Sequence, residues 1–457
     1  MTLNYFKPDG PYFVGDCMPF AHDGVFHLYY LLDENHHQAL NGLGGHQWAH
    51  ASTQDLIHWQ HHPLALPITA EFEKSICTGS VFHHAGTFYA FYATRLADWR
   101  QHLSLAVSQD AIHFQKQPPN PLASPPTGYS PLHFRDPRPF RDPETGLFHL
   151  LVTAMLAEPE LSGRGGCLAH LTSPDLQTWT MQEPFLIPGY ADAPECPDYF
   201  YWNGWYYLLF SNALTARYRM ARSPLGPWLR PAVDTLDGAL SRVMKTAAFG
   251  ADRRIGVSWL GTRTANKDEG KAQWGGHLLF RELIQHADGT LGSKFVPEMT
   301  AADAPGPSLS LDLSSMAPGK EVDNAIHLRA WQSLQVATLA GLPRNVHLKL
   351  RILPQAGSAR FGLRLRGEGA FAGGYDLAFQ APERLVRLHN ETIYAVEGLD
   401  QPFALELILK DDIIDVCIDQ RRCLVNRCPE LTGDRLFFFA HNAEVIFDDI
   451  ELRILNG

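Results

Sequence analysis

The sequence lacks several features that mark common functional classes. Its 49 Asp and Glu residues outnumber its 38 Lys and Arg residues, and the net charge of the 457 residues is -11. Nucleic-acid phosphates require a basic surface, so no nucleic-acid partner is expected. No run approaches the roughly 20 consecutive apolar residues of a transmembrane helix, and the first residues do not resemble a signal peptide. No membrane association is therefore expected.

Metal, redox and cofactor motifs are missing as well. The seven cysteines are an odd number, and no pair has metal or redox spacing. Reduced thiols in a cytoplasmic protein are the simplest interpretation, which predicts a cytoplasmic location. The 22 histidines show no repeated ligand spacing, and no glycine-rich segment matches a dinucleotide or phosphate-loop fingerprint. We therefore expect neither a metal nor another cofactor.

What the sequence does contain is a repeated strand pattern. A glycine followed by alternating aromatic and aliphatic residues occurs four times, at Gly24, Gly86, Gly146 and Gly204, and a degenerate fifth copy covers 252–260. A polar turn that begins with serine and ends with an aromatic residue recurs in step. A unit of about 50 to 60 residues with several strands is typical of a propeller blade. Five copies predict an all-β fold with a five-bladed β-propeller; an irregular β-sandwich is the alternative.

The composition changes near residue 296. The segment 296–310 is rich in proline and alanine and has the character of a linker. Beyond it, segments such as 346–352 and 404–410 alternate polar and apolar residues, which predicts an antiparallel β-sandwich. The expected organisation is a propeller over 1–295, the linker, and a sandwich over 311–457.

Acidic residues recur at a similar place in the predicted blades. Counting back four residues from a Phe that ends one strand of each blade gives Asp16, Thr78, Asp136 and Lys245; a count of five gives Glu195 in the fourth blade. Innermost strands line one central channel, so these side chains are expected to face one another. Three converging carboxyl groups raise at least one pKa, and a protonated acid beside a carboxylate suits glycoside hydrolysis. Taken singly, each acid fits a turn, a strand end or the surface.

Several stretches match known motifs in order. Arg135-Asp-Pro137 matches an Arg-Asp-Pro motif, and Glu195-Cys196 matches a Glu-Cys motif. Weaker matches cover 47–59, 77–80, 280–283 and 413–426. Together they resemble glycoside hydrolase family 32, the β-fructofuranosidase and invertase group, which is related to family 43.

The resemblance implies a retaining mechanism with assigned roles. It makes Asp16 the nucleophile, Glu195 the acid/base, and Asp136 a transition-state stabiliser beside Arg135. The two working carboxyl groups would then lie about 5 to 5.5 Å apart. The other expected substrate contacts are Thr78, Trp48 and His46.

The segment around Asp16 departs from the family pattern. The family has Trp-Met-Asn-Asp-Pro-Asn-Gly where this chain has Phe13-Val-Gly-Asp-Cys-Met-Pro-Phe20, and Tyr30-Leu31 replaces a Tyr-Gln pair. Retained carboxylates with altered neighbours predict an exo-acting hydrolase of an unusual small β-fructofuranoside or related furanoside.

Three other functions stay open at this point. One is an inverting hydrolase of the arabinofuranosidase or xylosidase type, with carboxyl groups about 6.5 to 9.5 Å apart. The others are a fructosyltransferase and a sugar-binding propeller without catalysis. The sugar, the linkage and the oligomeric state are left open.

Overall fold

The protein is described by a computed structural model that covers residues 4–213, 215–301, 320–322 and 325–455. It forms two compact units. The first contains the chain up to Thr235, Ser241–Gly261 and Gln273–Thr290; the second contains Leu236–Leu240, Thr262–Ala272 and the chain from Leu291 onward. The predicted linker at 296–310 lies partly outside the described residues, and Pro297–Ala301 within it form a short helix, α1. The domain limits 1–295 and 311–457 stay a prediction.

The first unit is built from antiparallel sheets that follow one another along the chain. Blade one contains β1 (Tyr12–His22), β2 (Val25–Glu34), β3 (Gln47–Thr53) and β4 (Gln60–Leu66). Blade two contains β5 (Ser75–His84), β6 (Thr87–Arg95), β7 (Gln101–Ser108) and β8 (Gln115–Lys116). Blade three contains β9 (Tyr129–Arg141), β10 (Phe148–Leu156), β11 (Gly166–Ser173) and β12 (Thr180–Met181). Blade four contains β13 (Glu195–Trp202), β14 (Trp205–Asn212) and β15 (Thr215–Ala221), and blade five contains β16 (Ser241–Phe249), β17 (Arg253–Arg263) and β18 (Ala272–Gln285).

The first strand of each blade contacts the first strands of two other blades. β1 contacts β5 and β16, β9 contacts β5 and β13, and β13 contacts β16. This cyclic order closes a ring, as a five-bladed propeller requires. The N-terminal segment completes the closure, because the Tyr5 amide donates to Leu278 O and the Leu278 amide donates to Phe6 O. The predicted propeller is confirmed.

The repeated glycines mark the hairpin between the first two strands in blades one to four. Their φ angles lie between 75° and 85°: Gly24, Gly86, Gly146 and Gly204. This left-handed conformation is one that glycine adopts without steric cost. The hairpin fixes which residues of the inner strand pair with the aromatic strand, and it thereby sets the depth of each inner side chain.

The second unit contains an antiparallel β-sandwich, as predicted. A short strand, β19 (Leu291–Lys294), precedes α1. The strands of the sandwich follow α1: β20 (Lys320–Val322), β21 (Ala325–Leu339), β22 (Val346–Pro354), β23 (Arg360–Glu368), β24 (Gly373–Gln380), β25 (Leu385–Leu388), β26 (Glu391–Ile393), β27 (Phe403–Lys410), β28 (Ile413–Ile418), β29 (Arg422–Arg427) and β30 (Arg435–Ile454). The long β30 pairs with β21, β22 and β23 and so joins the sheet segments. One apolar cluster, which includes Leu363, Phe438 and Phe447, fills the interior.

Helix is scarce in the described residues. Besides α1, a single 3-10 turn covers Thr264–Asn266. Within the described part of the chain, none of the helical segments has the length and apolar character needed to span a bilayer.

Candidate active site

In every blade the pairing between the first strand, which lines the channel, and the second strand shifts register by one residue, as it does at a β-bulge. The slips lie between Val14 and Cys17, Ile76 and Gly79, Arg135 and Arg138, Glu195 and Asp198, and Arg242 and Lys245. Asp16, Thr78 and Asp136 lie within bulges, whereas Glu195 is the last paired residue before one. Bulges redirect side chains and are frequent beside active sites. The sequence count implied that the acids occupy equivalent positions in their blades, and the structure shows that they do not. The acids lie at different positions relative to the bulges, yet all three line the same cavity.

These bulges surround a cavity of about 240 Å³. The predicted site residues that line it are Asp16, Thr78, Asp136, Glu195, Arg135 and His46. A larger hollow of about 1000 Å³ is lined by residues such as His22, at the far end of β1, and contains none of these acids. His22 lies six residues beyond Asp16, or about 20 Å along an extended strand. The structure thus brings the three carboxyl groups together in the smaller cavity.

Both carboxyl oxygens of Asp16 accept hydrogen bonds. Thr78 Oγ1 donates to Oδ2 over 2.5 Å, and Trp259 Nε1 donates to Oδ1 over 2.9 Å. The Cys196 thiol lies 3.6 Å from Oδ2. Burial raises the pKa of Asp16 to about 6, and the two neighbouring carboxylates add to this, while the Thr78 and Trp259 bonds oppose it. Asp16 is therefore held in a fixed position and ionises near neutral pH.

Arg135 connects the other two acids. Its Nη2 donates to Glu195 Oε1 over 2.8 Å, and its Nε lies 3.6 Å from Asp136 Oδ2. Although burial opposes it, the negative charges of both acids raise the pKa of Arg135. Asp136 is 2% exposed, whereas the Glu195 side chain is 40% exposed. Glu195 is thus the acid with the greatest access to a ligand and to water.

Asp136 and Cys196 have backbone strain. Their φ angles are 54° and 53°, in the left-handed region that residues other than glycine seldom adopt. The Cys196 amide donates to Asp136 Oδ2 over 3.1 Å, which ties the two bulges together. Strain of this kind costs about 1–3 kcal/mol and is concentrated at functional sites.

Two tryptophans in blade five were missed by the sequence reasoning. Trp259 donates to Asp16, and the Trp274 ring lies 5.4 Å from the Trp259 ring. Trp274 also explains the glycine before Asp16, because a Cβ on Gly15 would lie 2.2 Å from the Trp274 ring. Trp259 belongs to the degenerate fifth repeat, so aligning that copy with the others would have indicated its position.

Trp48 is the predicted substrate contact that the structure does not bring to the cavity. It is 0% exposed and packs in an apolar cluster with Tyr29 and Tyr92. Its Nε1 donates to Cys77 O over 2.9 Å, on the strand that carries Thr78. Trp48 therefore belongs to the core and supports β5.

His46 lines the cavity but is almost fully buried. Trp274 stacks on its ring at 4.6 Å, and its Nε2 lies 3.0 Å from Asp33 Oδ1 and 3.1 Å from His37 Nδ1. Burial lowers the pKa of His46 and of His37 to about 3, and it raises the pKa of Asp33 to about 6. Both imidazoles are therefore neutral at neutral pH.

A propeller whose central cavity collects three carboxyl groups, two of them beside one arginine, has the arrangement expected of a glycoside hydrolase. Residues 15–224 match the model for the N-terminal domain of glycosyl hydrolases family 32. A sucrose-6-phosphate hydrolase of Escherichia coli is 27% identical over 60% of this chain and 60% of its own length. A raffinose invertase of the same organism is 26% identical over 95% of this chain and 90% of its own.

The fold comparison agrees with the sequence comparisons. The crystal structure of fructan 1-exohydrolase IIa from Cichorium intybus superposes with a TM-score of 0.77 at 17% identity, covering 100% of this chain and 97% of the other. The predicted resemblance to glycoside hydrolase family 32 is confirmed by the matching family model and by the two similar hydrolases.

Proposed function

We propose that this chain is a retaining, exo-acting β-fructofuranosidase that removes a terminal fructosyl residue from a small oligosaccharide. The observation that carries the proposal is the meeting of Asp16, Asp136 and Glu195 in one cavity, with Arg135 between two of them. A site that only binds sugar has little use for three adjacent acids, since their mutual repulsion is unfavourable.

In the proposed mechanism each carboxyl group has one task. Asp16 attacks the anomeric carbon while Glu195 gives its proton to the leaving oxygen, so that the glycosidic C–O bond breaks as the ester bond to Asp16 forms. In the second step Glu195 takes a proton from water, the water oxygen bonds to the anomeric carbon, and the Asp16 carboxylate leaves. Asp136 accepts hydrogen bonds from sugar hydroxyls, beside Arg135.

The protonation of the two working groups is linked. With a pKa of about 6, Asp16 is mostly ionised at pH 7, as a nucleophile must be. Glu195 needs a proton for the first step, yet it accepts a hydrogen bond from Arg135 in this structure. We infer that the substrate draws Arg135 away to a sugar hydroxyl, which leaves the Glu195 carboxyl group free to face the leaving oxygen.

The cavity favours a single sugar residue. Its volume of about 240 Å³ is below the roughly 300–1000 Å³ of pockets that enclose drug-sized ligands. The relatives are named for sucrose 6-phosphate and raffinose, both small β-fructofuranosides. These sugars, together with sucrose, are the substrates we propose.

The test is a kinetic and stereochemical screen on those three sugars. We expect the enzyme to release fructose whose anomeric configuration is at first retained. The anomer is identified by NMR in the first minutes of turnover. Asp16→Ala and Glu195→Ala are each expected to lower kcat by about 10³-fold or more, and a good leaving group should partly restore only Glu195→Ala. Wild-type turnover in either variant, or inversion at the anomeric carbon, would contradict the proposal.

We also propose a cytoplasmic location. All seven cysteines are buried thiols, a state that a reducing compartment maintains. Fractionation of the source cells, with detection of the protein by antibody, tests this; recovery outside the cytoplasm would contradict it.

A further inference from the structure

We propose that Asp33, His37 and His46 bind one divalent transition-metal ion at the side of the catalytic cavity. No two of their three ligand atoms are more than 4.8 Å apart. The three side chains take no part in the proposed bond cleavage, and metal binding by them can be measured without turnover.

The spacing of the ligand atoms suits a metal. His46 Nε2 lies 3.0 Å from Asp33 Oδ1 and 3.1 Å from His37 Nδ1. Ligands bound at about 2.0–2.2 Å and roughly at right angles lie about 3 Å apart. Two imidazoles and one carboxylate on one side of an ion, with open positions opposite, form a recurrent transition-metal site.

Protons alone satisfy this cluster poorly. Arg95 Nη1 lies 2.8 Å from His37 Nε2, which makes that nitrogen an acceptor and puts the ring proton on Nδ1. His46 Nε2 must then accept a hydrogen bond from His37 Nδ1. It also lies against Asp33 Oδ1, which is an acceptor too, so no proton is available for that contact. If His46 instead donates to Asp33, two N–H groups of the histidines face each other. A cation between the three atoms removes this conflict.

The burial of Asp33 also favours a bound cation. Asp33 is 0% exposed, and both its oxygens accept the His37 backbone amide, at 2.8 and 3.1 Å. The ion-pair partner that the described part of the chain gives Asp33 is His46. A buried carboxylate is normally paired with a cation or bound to a metal.

The open positions of the ion would face the catalytic cavity. His37 and His46 line that cavity, whereas Asp33 lies outside its lining. Water or a hydroxyl of the bound sugar would complete the coordination. Trp274 stacks on His46 and packs against Trp259, so the metal would also fix the indole that holds Asp16.

Metal binding has one structural consequence at Arg95. With an ion on Nδ1, His37 carries its proton on Nε2, so Arg95 can no longer donate to that nitrogen. Arg95 would keep its hydrogen bond to Leu43 O, which is 3.0 Å long in this structure. Arg95 therefore competes with the metal through both its hydrogen bond and its charge. Arg95→Gln is expected to tighten metal binding.

The experiment is a titration of chelator-treated full-length protein with Zn²⁺ by calorimetry and with Co²⁺ by visible absorption. We expect one ion per chain. Asp33→Asn and His37→Gln should each weaken binding by about 100-fold or more, since loss of outer-shell support alone costs about 10–100-fold. His37 is partly exposed, so its variant keeps the result interpretable if Asp33→Asn fails to fold.

His50→Gln is the matched control, because His50 is a buried histidine 3.1 Å from His27 in the same blade. Unchanged stoichiometry in this control, with loss in the cluster variants, supports the proposal. Absence of binding below about 100 µM in the wild type would overturn the proposal and leave a cluster held by hydrogen bonds alone. Equal loss in the control and the cluster variants would also overturn it.

Discussion

Two buried acids of the inner strands have opposite pKa shifts. Asp16, in the bulge of β1, has its pKa raised to about 6, whereas for Asp198, at the end of the bulge in β13, the effect of burial is outweighed by nearby cations that lower the pKa. Asp198 is 0% exposed and forms an ion pair with Arg138 at 3.0 Å. It also accepts from the amide and the hydroxyl of Thr246, at 2.8 and 2.5 Å.

The difference shows that burial does not by itself determine the protonation of an acid. Asp16 receives hydrogen bonds from neutral donors and lies beside two other acids, so its charge is partly uncompensated. Asp198 is matched by cations on neighbouring inner strands, including Lys245, whose pKa burial lowers to about 8. In the layer of the channel that contains Asp198, cations compensate the buried acid, whereas in the adjacent layer Asp16 has neutral donors and other acids as neighbours.

The largest expected effect concerns the compensated layer. Asp198→Asn leaves Arg138 buried without its carboxylate, and breaking such a pair costs about 3–5 kcal/mol. We expect the free energy of unfolding, measured by urea denaturation at pH 7, to fall by that amount. A change below about 1 kcal/mol would show that the two layers do not differ in this way.

Replacement of Asp16 is expected to raise the free energy of unfolding at pH 7, whereas replacement of Asp198 lowers it. Its folded pKa of about 6 exceeds the ordinary value of 3.8, so the folded state holds the proton more tightly. The resulting stability is fully present below pH 3.8 and is lost as the pH rises through 6. Asp16→Asn should therefore raise the free energy of unfolding at pH 7 by about 1–3 kcal/mol.

The pH dependence provides the control for that prediction. Below about pH 4 both forms are neutral, and the advantage of Asp16→Asn should disappear. An advantage that persists at low pH would attribute the gain to packing and would break the comparison.

A smaller effect is expected at Thr78. Its hydroxyl favours the ionised form of Asp16, so Thr78→Val raises the pKa of Asp16 further. We expect the acidic limb of the kcat/KM profile, near pH 6 in the wild type, to move upward by about one pH unit. Thr78→Ser retains the donor and should leave the limb in place; equal shifts in both variants would point to packing instead.

The sequence reasoning succeeded where a repeat carried the information. The glycine-led strands predicted five blades, and the acids before them predicted a shared cavity. It was less accurate where the backbone departs from regular pairing, because bulges change which way a side chain points without changing its spacing. Trp48 was expected to contact the substrate because it lies in a segment that resembles the family, but it is buried in the core.

Contacts between distant segments could not be predicted. Trp259 and Asp16 are 243 residues apart, and Asp33 meets His46 through a turn that has no ligand motif. Such pairs depend on ring closure and on the path of loops, neither of which leaves a periodic pattern. The segment around Asp16 departs from the family pattern, and the side chains that contact the Asp16 carboxyl group in this structure are Thr78, Trp259 and Cys196.

The most direct test of the central claim is to identify the residue that becomes covalently bound to the sugar. Glu195→Ala, which slows the second step, would be mixed with a fructoside that has a good leaving group, then quenched in acid, digested and mapped by mass spectrometry. The account predicts a fructosyl ester on the peptide that contains Asp16, and none on it in Asp16→Asn. An ester on another acid, or rapid release of inverted fructose without any ester, would contradict it.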